Sequence, residues 1–432
     1  MSALHALLRS DLKTLLVTCV WLFVCLQYVA PYFILLPIAL IPKFGVGLYR
    51  KITTMIDIPG RGALLCIPFS WCGARVHFQG MSALRALRDS GGSGLVLSTH
   101  CSRIDWLIGL WMGDHLGIRT GFVAEATIAL LPLLGWSRFL MGDIFITRAF
   151  DKDRTRIEKN IQSFHRDGVR RLMFVAPEGF VADPGSKVGD EYIPKCDEFM
   201  KAEGRAPLTH LLTPRYKGMS VFHKHARDGV ISVAMAYVED AQFDGKGKLV
   251  GGTNASKGLR DPARTVPDLH SIFRGGLSVL IQGGKVTIGQ DETKIKSQLL
   301  DDQAFKDAML RRLDETGEFF DVQKMNDYYA GTVSPAEDLA ISHLWLNLTL
   351  LGQTTISVGA LTLGLRVTVL GACQYIVYVI LGILCLHGGT HYAARLLTGV
   401  ESRESICGET AIKAVIELVS SIHKPKKKQK AA

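Results

Sequence analysis

Two residues in the stretch "THCSRIDW" (99–106) are of types that do chemistry together. His100 carries an imidazole that can take a proton near neutral pH, and Asp105 a carboxylate that can hold an imidazole in one tautomer. Their spacing decides what backbone must carry them. Positions five apart lie about 140° from each other around an α-helix, so the two side chains cannot meet from the interior of one helix. His100 must then sit in a turn, with Asp105 in the first turn of the helix that follows. Ser102, three residues before Asp105, is the natural N-cap of that helix, and Ile104, Trp106, Leu107 and Leu110 supply its apolar residues. The run Leu95, Val96, Leu97 just upstream reads as a buried strand that delivers the turn.

A histidine held this way, with no nucleophile of its own, suits removal of a proton from a substrate hydroxyl. Cys101 is the rival nucleophile, but side chains adjacent in sequence usually point apart. No GxSxG elbow follows any apparent strand, which argues against a serine hydrolase. Taken alone, such a pair is more often structural than catalytic.

Three later stretches change that balance: "GDIFITR" (142–148), "VAPEGF" (175–180) and "LLTPRYKG" (211–218) follow in order. With "THCSRID" they resemble the four blocks of the glycerolipid acyltransferase family, the HxxxxD acyltransferases that include the lysophosphatidate enzymes. The resemblance covers roughly residues 45–330 and is nearest the eukaryotic branch that holds lysocardiolipin and lysophosphatidylinositol acyltransferases. It implies transfer of an acyl group from acyl-CoA to the sn-2 hydroxyl of 1-acyl-sn-glycerol-3-phosphate, with acyl-CoA as co-substrate and neither a further cofactor nor a metal. It also implies roles: His100 as base, Asp105 as its orienting partner, Arg148 as a phosphate contact, and Glu178 and Gly179 as lining of the acceptor pocket. Chemistry agrees, since an arginine fork matches phosphate and a glycine lets backbone approach a substrate. There are two departures. Thr99 stands where the family usually has asparagine, and Phe180 and Val181 stand where many relatives have threonine and arginine. Arg215 and Lys217, or Lys152 and Arg154, are the candidates for the missing charge.

The elements that must position these residues read as an α/β domain, a mixed sheet flanked by helices. "GLVLSTH" (94–100), "RLMFVAPEG" (171–179) and "ISVAMAY" (231–237) are expected strands, and 151–168 an amphipathic helix with Ile157, Ile161 and Phe164 on one stripe. Residues 240–275, rich in Gly, Lys and Asp, are expected to be a surface excursion.

This domain, 51–335, lies between apolar segments. Hydrophobic residues make up 48% of the 432-residue chain, which favours a membrane-associated protein. The 29 positions between Lys13 and Lys43 carry no charge, long enough to span a bilayer as a kinked helix or to enter it as a hairpin divided at Pro31 and Pro37. Residues 1–50 are thus an expected anchor, kept rather than cleaved. Leu339–Leu365 and Val367–Leu386 are expected to form a C-terminal transmembrane hairpin within 336–390, with buried core helices as the alternative. In the basic tail (391–432), Lys428 and Lys430 resemble a dilysine retrieval signal, which implies a multi-pass protein of the endoplasmic reticulum membrane with a cytosolic catalytic domain. The net charge of +10 suits an anionic bilayer or an acidic substrate, and no nucleic-acid-binding signature occurs. Nine scattered cysteines without CxxC pairs indicate reduced thiols and argue against a zinc site. Other readings stay open: a lysophospholipid acyltransferase for a different head group, a catalytically silent membrane scaffold, and, less favoured, a transporter. Oligomeric state is not legible.

Overall fold

A computed structural model describes residues 2–355, apart from 132–133, 184–185, 225–228, 246, 290, 330–332, 339–346 and 353. The expected C-terminal hairpin lies largely outside the described residues, and the basic tail wholly so.

Among the described residues nine strands form one sheet: β1 (Arg75–Gln79), β2 (Gly94–Ser98), β3 (Arg119–Glu125), β4 (Ile144–Ile146), β5 (Arg171–Val175), β6 (Val230–Phe243), β7 (Leu249–Asn254), β8 (Leu277–Val286) and β9 (Ala336–Asp338). Their order is β4-β3-β5-β2-β6-β8-β1-β9, with β7 hairpinned onto β6. From β4 to β6 neighbours run parallel. The β6–β8 and β1–β9 pairs are antiparallel. A parallel strand must be covered on both faces, and alternation along the chain shows how. Val96 of β2 and Leu172 and Phe174 of β5 enter one core; Leu95, Leu97, Met173 and Val175 enter the other.

Among the described residues, the following helices accompany the sheet. N-terminal to it lie α1 (Ser2–Ile34), α2 (Leu36–Ala39) and α3 (Gly45–Leu65), followed by a π-helical turn (Cys66–Trp71). Between strands run α4 (Met81–Asp89), α5 (Asp105–Leu116), α6 (Leu134–Met141), α7 (Phe150–Arg166), α8 (Lys187–Ala202), α9 (Tyr216–Lys224) and α10 (Leu269–Arg274). The long α11 (Glu292–Thr316) and short α12 (Val322–Tyr328) precede β9. The expected helix at 151–168 is α7. Ile157, Ile161 and Phe164 are buried, Asp151 and Asp153 lie in its first turn, and His165 and Arg166 lie in its last, in accord with the helix dipole.

The expected strands at 94–100 and 171–179 end sooner, at Ser98 and Val175, because the chain leaves the sheet there to build the loops described below. The expected surface excursion at 240–275 is instead structured. β6 runs on to Phe243, turns through the Asp244–Lys248 backbone bond of 2.9 Å and returns as β7, and Ala255, Leu259 and Arg264 beyond it are buried. The glycine-rich, polar composition that suggested a loop runs through β7 itself, at Gly251 and Gly252, and is overridden by its pairing with β6.

The stretch Leu12–Ala39 is the one described segment long and apolar enough to cross a membrane, and its N-terminal half exposes Leu12, Leu15, Leu16, Val20, Leu22 and Phe23. Pro31 lies inside α1, and the helix breaks at Leu35 before Pro37 starts the next turn. α3 folds back along α1. The Tyr28 and Tyr32 hydroxyls donate to Asp57 Oδ1 at 2.7 and 3.0 Å, and the Trp21 indole donates to the Leu64 carbonyl at 3.1 Å. Trp21 also meets Trp106 of α5, with ring centroids 6.2 Å apart. The apolar helix therefore touches the residue next to Asp105.

Candidate active site

β2, β3, β4 and β5 all end at the same edge of the sheet, and the loops that leave their C-terminal ends carry the residues picked out by type and spacing. In an open α/β sheet this edge is where backbone turns leave space for a ligand. His100 lies two residues beyond β2, Arg148 two beyond β4, and Glu178 three beyond β5.

His100 Nδ1 and Asp105 Oδ2 are 2.8 Å apart, with Asp105 at the first position of α5. An ionised carboxylate only accepts, so the imidazole proton sits on Nδ1 and Nε2 is the basic atom. Asp105 Oδ2 also accepts the Ser102 N–H at 3.2 Å. That is half of a capping box, but Ser102 is not the N-cap: Ile104 occupies that position with no side-chain cap. The Ser102 hydroxyl is engaged elsewhere, accepting from the Ile104 N–H at 3.0 Å and donating to the Pro267 carbonyl at 2.7 Å. It ties the turn to the segment before α10 instead of starting the helix.

Tyr237 completes the environment of Asp105, its hydroxyl donating to Oδ1 at 2.5 Å. β6 is long enough to do this. Val233 is level with Ser98, the last residue of β2, and Tyr237 lies four residues further along. The signal in the sequence was a tyrosine ending an apolar strand, since a buried phenol needs a partner.

Thr99, where the family pattern has asparagine, is fully buried and prolongs the β2–β6 pairing. Its hydroxyl accepts the Met235 N–H at 2.9 Å, and its own N–H donates to the Val233 carbonyl at 3.1 Å. Glu178 lies underneath His100 and is buried, not on an open pocket wall. It accepts the His100 backbone N–H at 3.1 Å and the Gln303 amide at 2.9 Å. Gln303 also donates to the Leu212 carbonyl, and one turn along α11 the fully buried Lys306 donates to the Leu97 carbonyl at 2.9 Å and pairs with Asp302 at 2.7 Å. These α11 residues gave no signal in the sequence beyond their place in a long polar helix.

The electrostatics follow from these contacts. Burial alone would push the His100 imidazole down, but the hydrogen bond and charge of Asp105, with the charge of Glu178, outweigh it and leave its pKa above the ordinary value. Burial raises the Glu178 carboxyl, with Gln303 and His100 opposing. Cys101 is buried, and burial drives its thiol far above the ordinary value, reinforced by Glu178. A neutral thiol behind the histidine is a poor nucleophile.

On the open side, Arg148 has φ +63°, a left-handed conformation unusual for a residue with a side chain. Its guanidinium pairs with Glu125 at 2.9 Å, donates to the Gly179 carbonyl at 3.3 Å and lies 3.6 Å from the Phe180 ring centroid. Gly179 has φ +74°, and a Cβ there would stand 3.1 Å from Arg215 Nε. Arg215 joins the group, 4.7 Å from the Phe180 ring. Lys217 does not: it is exposed in the first turn of α9, and no hydrogen bond or ion pair ties it to this group. Arg154 pairs with Glu158 along α7, and the Lys152 side chain lies outside what the structure describes. Among the described residues no three His, Cys, Asp or Glu side chains gather as a metal site would require.

A family model described as Acyltransferase matches residues 75–233, from the start of β1 into β6, and so contains every residue of the four blocks. Curated relatives agree. 1-Acyl-sn-glycerol-3-phosphate acyltransferase delta of Mus musculus is 27% identical over 143 residues, 33% of this chain and 36% of the relative. The protein of the same name from Homo sapiens is 24% identical over 189 residues, 43% of this chain and 48% of the relative. Lysocardiolipin acyltransferase 1 of Danio rerio is 26% identical over 163 residues, 35% of this chain and 39% of the relative. The chain thus matches less than half the length of each of these relatives. With that match and those blocks in order along one edge of the sheet, residues 75–233 carry an acyltransferase domain similar to that of the glycerolipid acyltransferases.

Proposed function

We propose that this protein transfers a fatty acyl group from acyl-CoA to the sn-2 hydroxyl of 1-acyl-sn-glycerol-3-phosphate, forming phosphatidate and CoA. The observation that carries the reading is the 2.8 Å contact between His100 Nδ1 and Asp105, which leaves Nε2 as a base on a side chain that is 28% exposed. His100 takes the hydroxyl proton as the oxygen attacks the thioester carbonyl. The C–S bond breaks when the tetrahedral intermediate collapses, and the departing thiolate recovers the proton from the imidazolium. No acyl-enzyme forms, in keeping with the buried, protonated Cys101. Arg148 binds the phosphate of the acceptor, while Tyr237 and Glu178 hold Asp105 and the His100 backbone in place. A base positioned in this way contributes about 10²- to 10⁴-fold to the rate. The apolar α1, which reaches α5 through Trp21, keeps the site beside the bilayer that holds acceptor and product.

The names of the relatives span two acceptor classes, so the test must offer both. Membranes containing the protein are given labelled acyl-CoA and a panel of lysolipids: lysophosphatidate, lysophosphatidylinositol and lysocardiolipin. Lysophosphatidate is expected to be the preferred acceptor, with loss of transfer in His100→Ala. Undiminished transfer in that variant would sink the mechanism. Preference for another lysolipid would move the head-group assignment, and no transfer to any acceptor would leave the silent scaffold standing.

A further inference from the structure

The loop after β5 places one aromatic ring against two guanidiniums that arrive from different parts of the chain, Arg148 from beyond β4 and Arg215 from the approach to α9. We propose that Phe180 is a positioning residue that gathers Arg148 and Arg215 into a clamp for a phosphate monoester, the head group of the acceptor lysolipid. The proposal rests on the acyl-transfer reading above.

Both Cζ atoms lie within cation–π range of the ring, at 3.6 and 4.7 Å from its centroid. The two charges are therefore within about 8 Å of each other, a separation that one phosphate can bridge. Like charges held that close repel, and the ring face offsets part of the repulsion. Each arginine is also fixed from the side of the Phe180 loop. Arg148 donates to the Gly179 carbonyl, and the Arg215 backbone N–H donates to the Pro177 carbonyl at 2.8 Å. Arg215 passes over Gly179, where no side chain obstructs it, and its Nη2 donates to the Tyr192 hydroxyl at 3.4 Å.

Two guanidiniums suit an anion that carries more than one negative charge, and Arg148 is also paired with Glu125 at 2.9 Å. The clamp also lies close to the base. Gly179, which receives Arg148, directly follows Glu178, which holds the His100 backbone, and the Arg148 charge acts on the His100 imidazole. In a lysophosphatidate the phosphate and the free hydroxyl are on neighbouring carbons, so one acceptor can reach both.

Phe180 also packs partly against Ala182, Ile193 and Leu212 and meets the Tyr192 ring at 4.6 Å, so the test must separate a ring that aligns charge from a side chain that fills space. Phe180→Leu keeps the apolar volume and removes the π face; Phe180→Tyr restores the face. With the full-length protein, Phe180→Leu is expected to raise KM for lysophosphatidate about tenfold while kcat and KM for acyl-CoA hold, with recovery in Phe180→Tyr. A rise in KM for acyl-CoA instead would assign the arginines to the phosphates of CoA and overturn the proposal. So would failure of Phe180→Tyr to recover, or a parallel fall of all parameters with the unfolding midpoint.

Inorganic phosphate supplies a readout free of turnover. It should raise the unfolding midpoint of the parent protein and do so much less in Phe180→Leu. If that difference is seen but lysophosphatidate is not an acceptor, the clamp stands and the acyl-transfer reading fails. If lysophosphatidate is an acceptor and Phe180→Leu changes neither its KM nor the response to phosphate, the clamp fails and the reading stands.

Discussion

Two phenylalanines in this protein gather arginines, at opposite edges of the same sheet. At the edge where β3 and β5 begin, Phe164 of α7 is buried with Arg50, Arg119 and Arg171 at 4.3, 5.9 and 3.8 Å from its ring. At the edge where those strands end, Phe180 is half-buried with Arg148 and Arg215 beside it. The chemistry is the same, and the difference lies in what the guanidiniums hold. Arg171 donates to the Gly142 carbonyl at 2.9 Å and Asn160 Oδ1 at 3.0 Å. Arg119 reaches the Met141 carbonyl and the Thr54 hydroxyl, both at 2.7 Å, and Arg50 pairs with Asp167 at 2.5 Å. Those bonds run from α3 through β3 and β5 to α7, so the buried cluster fastens the N-terminal helices to the sheet. The open cluster's described bonds stay at its own edge, from Arg148 to Glu125 and Gly179 and from Arg215 to Tyr192. An arginine–aromatic group therefore says little about function until its burial and the origin of its acceptors are known.

The largest effect that sharpens this contrast belongs to the open edge. Asp105→Asn should lower kcat by about 10³-fold, because the imidazole loses the acceptor that fixes its tautomer. The pH profile must move as well. The proposed mechanism needs neutral His100, so it has the rate rise as pH climbs through an imidazole pKa that Asp105 holds above the ordinary value. Without that charge, burial dominates and the pKa falls, so the acid limb should shift to lower pH even as the plateau drops. A limb that stays put would show that Asp105 does not set the basicity of His100.

At the closed edge, Arg171→Met should lower stability by about 3 kcal/mol, because it strands the Gly142 carbonyl and Asn160 in a buried site. That corresponds to an unfolding midpoint lower by roughly 4 °C, with KM for either substrate unchanged in the folded fraction. Arg148→Met should do the reverse. Its guanidinium is partly exposed and its left-handed backbone is a cost the fold already carries, so the midpoint should move little while KM for the phosphate-bearing acceptor rises about thirtyfold. If the two variants gave the same signature, the distinction between a structural and a binding cluster would collapse.

The two edges also differ in how much of them could be read from sequence. His100 and Asp105 were legible because a turn and one helical turn join them, and local geometry follows from spacing. The two cores were legible from the alternation in β2 and β5 and the stripe on α7. Tyr237 and Gln303, which complete the site, lie 132 and 125 residues from their partners Asp105 and Glu178, and no local rule reports a contact of that range. The role expected for Glu178 changed for the same reason, since Gln303 of α11 closes over it. Arg119 and Arg171 open buried strands and are indistinguishable in sequence from surface arginines at a strand start. β7 was hidden by its own glycine-rich, polar composition.

The smallest expected effect tests the boundary between the catalytic turn and the core behind it. Cys101 adjoins His100 in sequence yet is 2% exposed, with a thiol kept protonated by burial and by Glu178. If it only packs, Cys101→Ala removes one sulfur from the core, at a cost near 1 kcal/mol, and leaves kcat within about twofold. If it were a nucleophile, the same change would abolish turnover, and a thioester-linked acyl group would be detectable by mass spectrometry on the parent protein after mixing with acyl-CoA alone. Retained turnover with no such adduct assigns the proton transfer to His100 acting directly on the acceptor hydroxyl, and places Cys101 with the residues that hold the turn.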